Sequence, residues 1–367
     1  MKLTWVISSL CAGGAEGVMT ALTNGLAGRG HEVTVLTLDD GFTPPALPLS
    51  KKIVHRPLGL AGWSTGPVQA VRSNLNRISA LRRAVETTIP DVVVSFMDTT
   101  NILCLLAVGR DRPVVVSERV NPARYHISPV WAALRRMSYR RAASVVIQTS
   151  DVARRLPIAL RNRCVTIPNP ISPCRPGMPS TEINCPAIAA MGRFEPQKGF
   201  DLLLHAFSLV AEKFPKWKLV LFGRGTERPR LETLRDELRL QDRVLFPGFS
   251  ATPHADLAQA EVFALSSRFE GFPNALCEAM ACGLAVVATD CPSGPSAIIH
   301  DGENGLLVPS ENVEALAESL TRLMADSKLR NRLGIRASEV VERFGMEKIL
   351  DMWEDLLRRV ASGTIGA

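Results

Sequence analysis

Ala187-Ile188-Ala189-Ala190-Met191-Gly192-Arg193-Phe194-Glu195-Pro196-Gln197-Lys198-Gly199 is the stretch whose reading decides the fold. Five apolar residues make a short strand buried on both faces, as a parallel sheet requires. Gly192 ends the run, and a helix is predicted near 199–213. A strand feeding a helix is half of a βαβ unit. The same alternation runs in both directions. Before this stretch, strands are predicted at 4–8, 32–38, 92–96, 114–117 and 144–148, with amphipathic stretches such as 15–29 and 68–87 between them. After it, strands recur at 218–222, 244–246, 262–265, 285–288 and 305–308. Helices are predicted near 228–239, 274–282, 311–325, 328–343 and 346–360. The proline-dense segment Ile167-Pro168-Asn169-Pro170-Ile171-Ser172-Pro173 and its continuation to Pro179 can continue neither a helix nor a central strand. The expected architecture is α/β, with two Rossmann-like domains facing each other across a cleft. They cover 1–168 and 181–345, with a linker over 169–180. Loops at the carboxyl ends of the strands should carry the ligands.

Composition agrees with two domains of ordinary size. The chain has 367 residues, 46% of them hydrophobic and 22% charged. No uncharged apolar run is long enough to span a bilayer, and the N-terminus reads as a core strand, not a signal peptide. The eight cysteines form no C-x-x-C pair, and the six histidines show no metal-ligand spacing. No Asp-x-Asp occurs, so a metal–diphosphate site is not expected. Charge is uneven. Residues 1–170 hold 21 lysines and arginines against 10 acids, and the remainder 22 against 26. A basic first half points to a polyanionic partner or to a solvated basic face.

The chemistry concentrates in the second half. Arg193 and Lys198, five apart across a turn at Pro196, can neutralise a diphosphate without a metal. The segment Phe269-Glu270-Gly271-Phe272-Pro273-Asn274-Ala275-Leu276-Cys277-Glu278-Ala279 adds a helix start. Pro273 suits its first turn, because its missing N–H would lack a partner there anyway. The N–H groups near Asn274, Ala275 and Leu276 would then face an anion. Glu270 and Glu278, eight positions apart, can accept hydrogen bonds from hydroxyls at two ends of one ligand. Together these groups supply what a nucleotide-sugar needs. In the first half, Gly13-Gly14-Ala15-Glu16-Gly17 opens a helix after the first strand. Its spacing is not G-x-G-x-x-G, so it is either a phosphate-facing loop or a tight βα turn.

These motifs resemble the retaining glycosyltransferases of the GT-B class, family 4, in the branch that builds bacterial exopolysaccharides and lipid-linked glycans. The resemblance covers almost the whole chain. It implies that Arg193 and Lys198 hold the donor phosphates, that Glu278 takes the ribose hydroxyls and that Glu270 takes the donor hexose. Gly271, Phe272 and Pro273 would shape that loop. Gly13 and Gly14 would lie against the diphosphate. Gly223, Arg224, Gly248 and Phe249 would lie near the nucleotide base. The last helix, 346–367, would cross back onto the first domain. Where many relatives carry a histidine, this chain reads Ser117-Glu118-Arg119-Val120-Asn121, so Glu118 or Arg119 would orient donor or acceptor. Asp98 and Asn101, just after the strand at 92–96, are placed to reach the cleft, and capping explains Asp98 almost as well.

The resemblance implies transfer of a hexosyl unit from a nucleotide-sugar, with a UDP-hexose or UDP-N-acetylhexosamine preferred. The acceptor would be a lipid-linked or growing cell-surface glycan, and no cofactor or metal is expected. The basic stretches Arg72, Arg77, Arg82, Arg83 and Arg135, Arg136, Arg140, Arg141, with Trp63 and Trp131, suit an anionic membrane surface on its cytoplasmic side or plain solvation. Nucleic acid is not an expected partner. The alternatives are a nucleotide-sugar epimerase on the same fold and a non-catalytic sugar-nucleotide-binding partner of another transferase.

Overall fold

The computed structural model describes residues 1–11, 13–45, 47–62, 65–110, 112–119, 127–175 and 177–364, so Trp63, Val120 and Asn121 lie outside the described residues. The chain divides into two compact units. The first joins Met1–Pro170 to Met346–Ala367, and the second is Ile171–Gly345.

The first unit holds a parallel sheet of seven strands: β1 Lys2–Ile7, β2 Glu32–Thr37, β3 Val54–Pro57, β4 Val92–Phe96, β5 Val114–Ser117, β6 Ser144–Ile147 and β7 Cys164–Thr166. Their order is β3-β2-β1-β4-β5-β6-β7. The chain reverses its direction of winding between β1 and β4, the place where such sheets take ligands. Every residue of β4 is buried, because helices cover both faces. β3 and β7 are edge strands with exposed or half-buried side chains, so they carry no apolar signal in the sequence.

Helix Gly14–Gly28 buries Val18, Met19, Leu22 and Leu26 at helical spacing. It stops at Gly30, where φ is +88° and the His31 N–H returns to the Leu26 carbonyl. The basic helix is Pro67–Thr88 and buries only Leu81 and Val85. Two of its arginines hold other loops: Arg77 donates to the Leu60 and Gly62 carbonyls, and Arg82 Nε to the Ala107 carbonyl. Trp131 and Leu134 are half-buried against the core, whereas Met137 is exposed.

The helix Met346–Ala361 packs in the first unit, on Gly14–Gly28 and β4. Ile349, Leu350, Trp353, Leu356, Leu357 and Val360 form its apolar stripe. Trp353 lies 5.3 Å from Trp5 and 6.2 Å from Phe96, ring centroid to centroid. Gly25 lets Leu350 come close, since a Cβ there would meet it at 2.6 Å. Arg29 bonds Glu347, Asp351 and Glu354, and His31 bonds Glu354.

The second unit holds six parallel strands: β8 Ala187–Met191, β9 Lys218–Phe222, β10 Val244–Gly248, β11 Val262–Leu265, β12 Ala285–Asp290 and β13 Leu306–Pro309. The order is β10-β9-β8-β11-β12-β13, so the winding reverses between β8 and β11. The helix expected over 328–343 is two, Ser327–Ser338 and Val340–Phe344. Ile171 pairs with Gly345, so the chain enters and leaves this unit side by side.

Candidate active site

The loops after β8 and β11 flank the reversal point of the second sheet, and they carry the residues singled out above. Hydrogen bonds staple them together. The Arg268 N–H donates to the Gln197 carbonyl (2.8 Å), Gln197 Nε2 to the Phe269 carbonyl (2.9 Å) and Ser266 Oγ to the Lys198 carbonyl (3.0 Å). Arg268 also grips Asp201 through both of its terminal nitrogens and caps the Pro196 carbonyl. Burial acts to raise the Asp201 carboxyl, but the Arg268 bridge outweighs it and holds the group below its ordinary range.

Lys198 leaves this frame at the end of the short turn Pro196–Lys198. Its Nζ donates to Glu270 Oε1 at 2.7 Å, and Ser267 Oγ donates to the same oxygen at 2.7 Å. The Glu270 side chain is 5% exposed and that of Lys198 17%. The turn continues into helix Phe200–Ala211 through Gly199, at φ +60°. A Cβ there would stand 2.1 Å from the Ser266 carbonyl oxygen, so glycine alone fits. Arg193 is far more open, with a 65% exposed side chain paired to Glu195 at 3.2 Å. The structure thus joins Lys198 to Glu270 and Arg193 to Glu195.

Glycines also shape the neighbouring strand ends. The Gly192 N–H donates to the Phe222 carbonyl, Gly223 to Gly248, and Phe194 to Arg224. Gly223 has φ +153°, and a Cβ there would fall 1.8 Å from the Gly192 oxygen. Arg224 stacks over the half-exposed ring of Phe249 at 5.2 Å.

Helix Asn274–Ala281 begins at Pro273 with no side-chain cap. Its first intrahelical bond is from the Cys277 N–H to the Pro273 carbonyl, so the Ala275 and Leu276 N–H groups find no backbone acceptor among the described residues. The side chains of Phe272 and Leu276 belong to the core, so their contribution here is backbone; Phe272 packs edge-on against Phe344. Gly271 and Pro273 are buried beside them. Glu278 is half-buried and has no hydrogen-bond partner among the described residues. Burial raises its carboxyl above the ordinary value, because nothing nearby compensates the charge.

In the first unit, Gly13 is the extended residue before helix Gly14–Gly28, and a Cβ there would meet the Glu16 carboxylate at 2.1 Å. Glu118, at the end of β5, turns inward. It is fully buried and takes a hydrogen bond from the Tyr139 hydroxyl at 2.5 Å. Asn101 donates to that hydroxyl and to the Ser117 carbonyl, and it accepts from Ser95. Burial raises the Glu118 carboxyl. Arg119 lies 3.7 Å over the Phe96 ring and donates to Asn169, and burial pulls its guanidinium down to about 9. Asp98 is the first residue of helix Asp98–Ala107, and its Oδ1 accepts from the Thr99 N–H; the N-cap position is Met97, so the capping expected of Asp98 is not what its side chain does.

Sequence reasoning missed Ser267, Gln197, Arg268 and Asp201. Arg268 and Asp201 are 67 positions apart and carry no local signal. Ser267, three residues before Glu270, could have been found as a hydroxyl beside a buried acid.

Residues 183–340 match the model of "Glycosyl transferases group 1", and residues 13–170 match "Glycosyl transferase 4-like domain". A Campylobacter jejuni α-1,4-N-acetyl-D-galactosaminyltransferase, whose name gives a GalNAc-bearing diNAcBac-PP-undecaprenol, is 28% identical over 98% of this chain and 99% of its own. An exopolysaccharide phosphotransferase of Streptomyces coelicolor is 37% identical over 54% of this chain, but the match spans only 21% of that protein. The lipopolysaccharide core biosynthesis glycosyltransferase LpsE of Rhizobium meliloti is 36% identical over 48% of this chain and 51% of its own. Among solved structures, Anabaena HepE in complex with UDP and glucose superposes with a TM-score of 0.80 at 19% identity, covering 98% of this chain and 99% of that one. Sucrose-phosphate synthase from Thermosynechococcus elongatus reaches 0.83 at 20%, with the same coverages. With one family model on each of its two Rossmann-like units, the chain belongs to the GT-B glycosyltransferases.

Proposed function

We propose that the protein is a retaining hexosyltransferase. It moves a sugar from a UDP-hexose or UDP-N-acetylhexosamine to a lipid-linked or growing cell-surface glycan, without a metal. The observation that carries this reading is the Lys198–Glu270–Ser267 constellation, followed by a helix start whose Ala275 and Leu276 N–H groups find no backbone acceptor among the described residues, and by Glu278. A diphosphate needs cations and free N–H groups, and Lys198, Arg193 and the Ala275 and Leu276 amides supply them. A sugar and a ribose need acceptors for their hydroxyls, and Glu270 and Glu278 supply these.

The residues then divide the work. Lys198 and Arg193 stabilise the charge that grows on the departing diphosphate, which is where binding accelerates the reaction. The acceptor hydroxyl attacks the anomeric carbon on the face that the diphosphate leaves. Its proton passes to a phosphate oxygen, so the anomeric configuration is kept. Glu270, fixed by Lys198 and Ser267, orients the transferred sugar. Metal independence is proposed on the lack of an Asp-x-Asp motif in the sequence. The UDP and glucose named with Anabaena HepE, and the polyprenyl-linked substrate named for the Campylobacter relative, support the choice of donor and acceptor. A lipid-linked acceptor and a basic first unit support peripheral association with an anionic membrane surface.

A donor screen tests this. UDP- and GDP-sugars are compared by thermal shift and by hydrolysis, with EDTA present, on the wild type and Glu278→Ala. A ligand that binds only the folded state must raise Tm. Stabilisation by one UDP-sugar in EDTA, lost in the variant, is the expected result. No stabilisation by any of them would overturn the donor-site assignment.

A further inference from the structure

The first sheet has a second edge, opposite the loops at the carboxyl ends of its strands. β4, β5 and β6 run parallel and in register, so their starts lie together at this edge. Even the four-residue β5 holds the two edges roughly 13 Å apart. A cavity of about 540 Å³ opens there. Arg110 and Arg112 line it from before β5, and Arg140 and Arg141 from before β6. Val108 and Val360 form part of its apolar wall.

The arginines are held in an unusual way. Arg112 donates to the Pro90 carbonyl and Arg141 to the Val108 carbonyl. Each keeps most of its five N–H donors. Arg110 and Arg140 form no hydrogen bond or ion pair among the described residues. No carboxylate lines the cavity; Asp111, next in sequence, lies outside the described residues. Elsewhere in this unit, Arg29 is matched by three acids. Four like charges around one cavity repel, the carbonyls at the ends of helices Asp98–Ala107 and Met346–Ala361 offset part of that, and a bound anion would relieve the rest. Two of the four are already immobilised, which lowers the entropy cost of binding. The planar guanidinium fork matches phosphate oxygens in pairs.

We propose that this cavity binds a phosphate ester or diphosphate, at a site separate from the donor site of the second unit. Its arginines take the phosphate oxygens, and its valines take the first carbons of whatever the phosphate carries. The ligand is either free in solution or the headgroup of an anionic lipid. The second source rests on the proposed membrane association.

The test compares the wild type with Arg110→Ala/Arg140→Ala, which leaves the two carbonyl-bound arginines in place. Both mutated side chains are exposed, so an unchanged Tm is the folding control. One arm is calorimetric titration with pyrophosphate. The other is sedimentation with phosphatidylglycerol vesicles, against phosphatidylcholine alone. Arg193 and Lys198 are intact in both proteins, so anion binding there cancels in the comparison, and donor hydrolysis should not change. If the ligand is a lipid headgroup, the variant loses about 25-fold in vesicle partition, roughly five-fold per arginine. If the ligand is free phosphate, vesicle binding stays equal and one pyrophosphate site is lost. Arg110→Lys/Arg140→Lys should restore part of either loss. Equal binding by wild type and alanine variant in both arms would overturn the proposal.

Discussion

Lys198→Met is the sharpest perturbation of the candidate site. It keeps most of the side chain's volume and removes the ammonium. Glu270 is then left with one donor in a setting where its side chain is 5% exposed. Breaking a buried pair by removing one partner costs about 3–5 kcal/mol, because the other charge remains. Here Ser267 still donates to Oε1, a bond to a charged group that contributes about 1.5–3 kcal/mol. The loss should therefore lie at the low end, about 3 kcal/mol. For a unit of this size, that lowers Tm by roughly 6–12 °C. Adding Glu270→Gln removes the orphaned charge, so the double variant should be more stable than Lys198→Met alone. Calorimetry on the four proteins gives the coupling energy directly. Turnover of Lys198→Met should fall by about 10²–10³, the usual loss for one donor to a developing negative charge. A Lys198→Met protein within about 1 kcal/mol of wild type, or strictly additive single losses, would refute the argument.

Three further outcomes are expected. Glu278→Gln removes a carboxyl that burial raises above 4.5. The folded protein holds that proton more tightly than the unfolded chain does. Wild-type stability should thus decline as pH rises through 4.5 and level off above the folded value, while the variant lacks this decline in urea titrations at stepped pH. Gly223→Ala forces a Cβ to within 1.8 Å of the Gly192 oxygen at φ +153°. It should cost at least about 2 kcal/mol, read as a Tm loss of roughly 4–8 °C together with weakened donor binding. Trp353→Ala empties the contact with Trp5 and Phe96. It should cost about 3–5 kcal/mol in the first unit and leave the second unit's calorimetric transition in place.

The doubly wound fold was legible because buried parallel strands are continuous apolar runs, as in Val92-Val93-Val94 and Ala187-Ile188-Ala189. β3 and β7 were not, because an edge strand needs no apolar face. The helix pair at 327–344 was merged into one, because its break at Glu339 uses no proline or glycine. Glu270 and Lys198 stood out by their place between a strand and a helix. Their mutual bond did not, since 72 residues separate them. Glu118 reads as a site residue in the sequence, and only the coordinates reveal that it faces Tyr139 in the core. A run of sequence fixes where a side chain leaves the backbone, whereas the partner it meets is set by the topology.

The helix Met346–Ala361 has a consequence for the order in which the protein is made. The first unit is begun at the N-terminus, but its core lacks Ile349, Trp353 and Leu357 until the second unit has been synthesised. On the ribosome, the parts of Trp5, Phe96 and helix Gly14–Gly28 that the last helix covers therefore stay open while residues 171–345 are made. A released chain truncated after residue 345 should resist protease in the second unit and remain cleavable in the first. The domain that is started first is the one that is completed last.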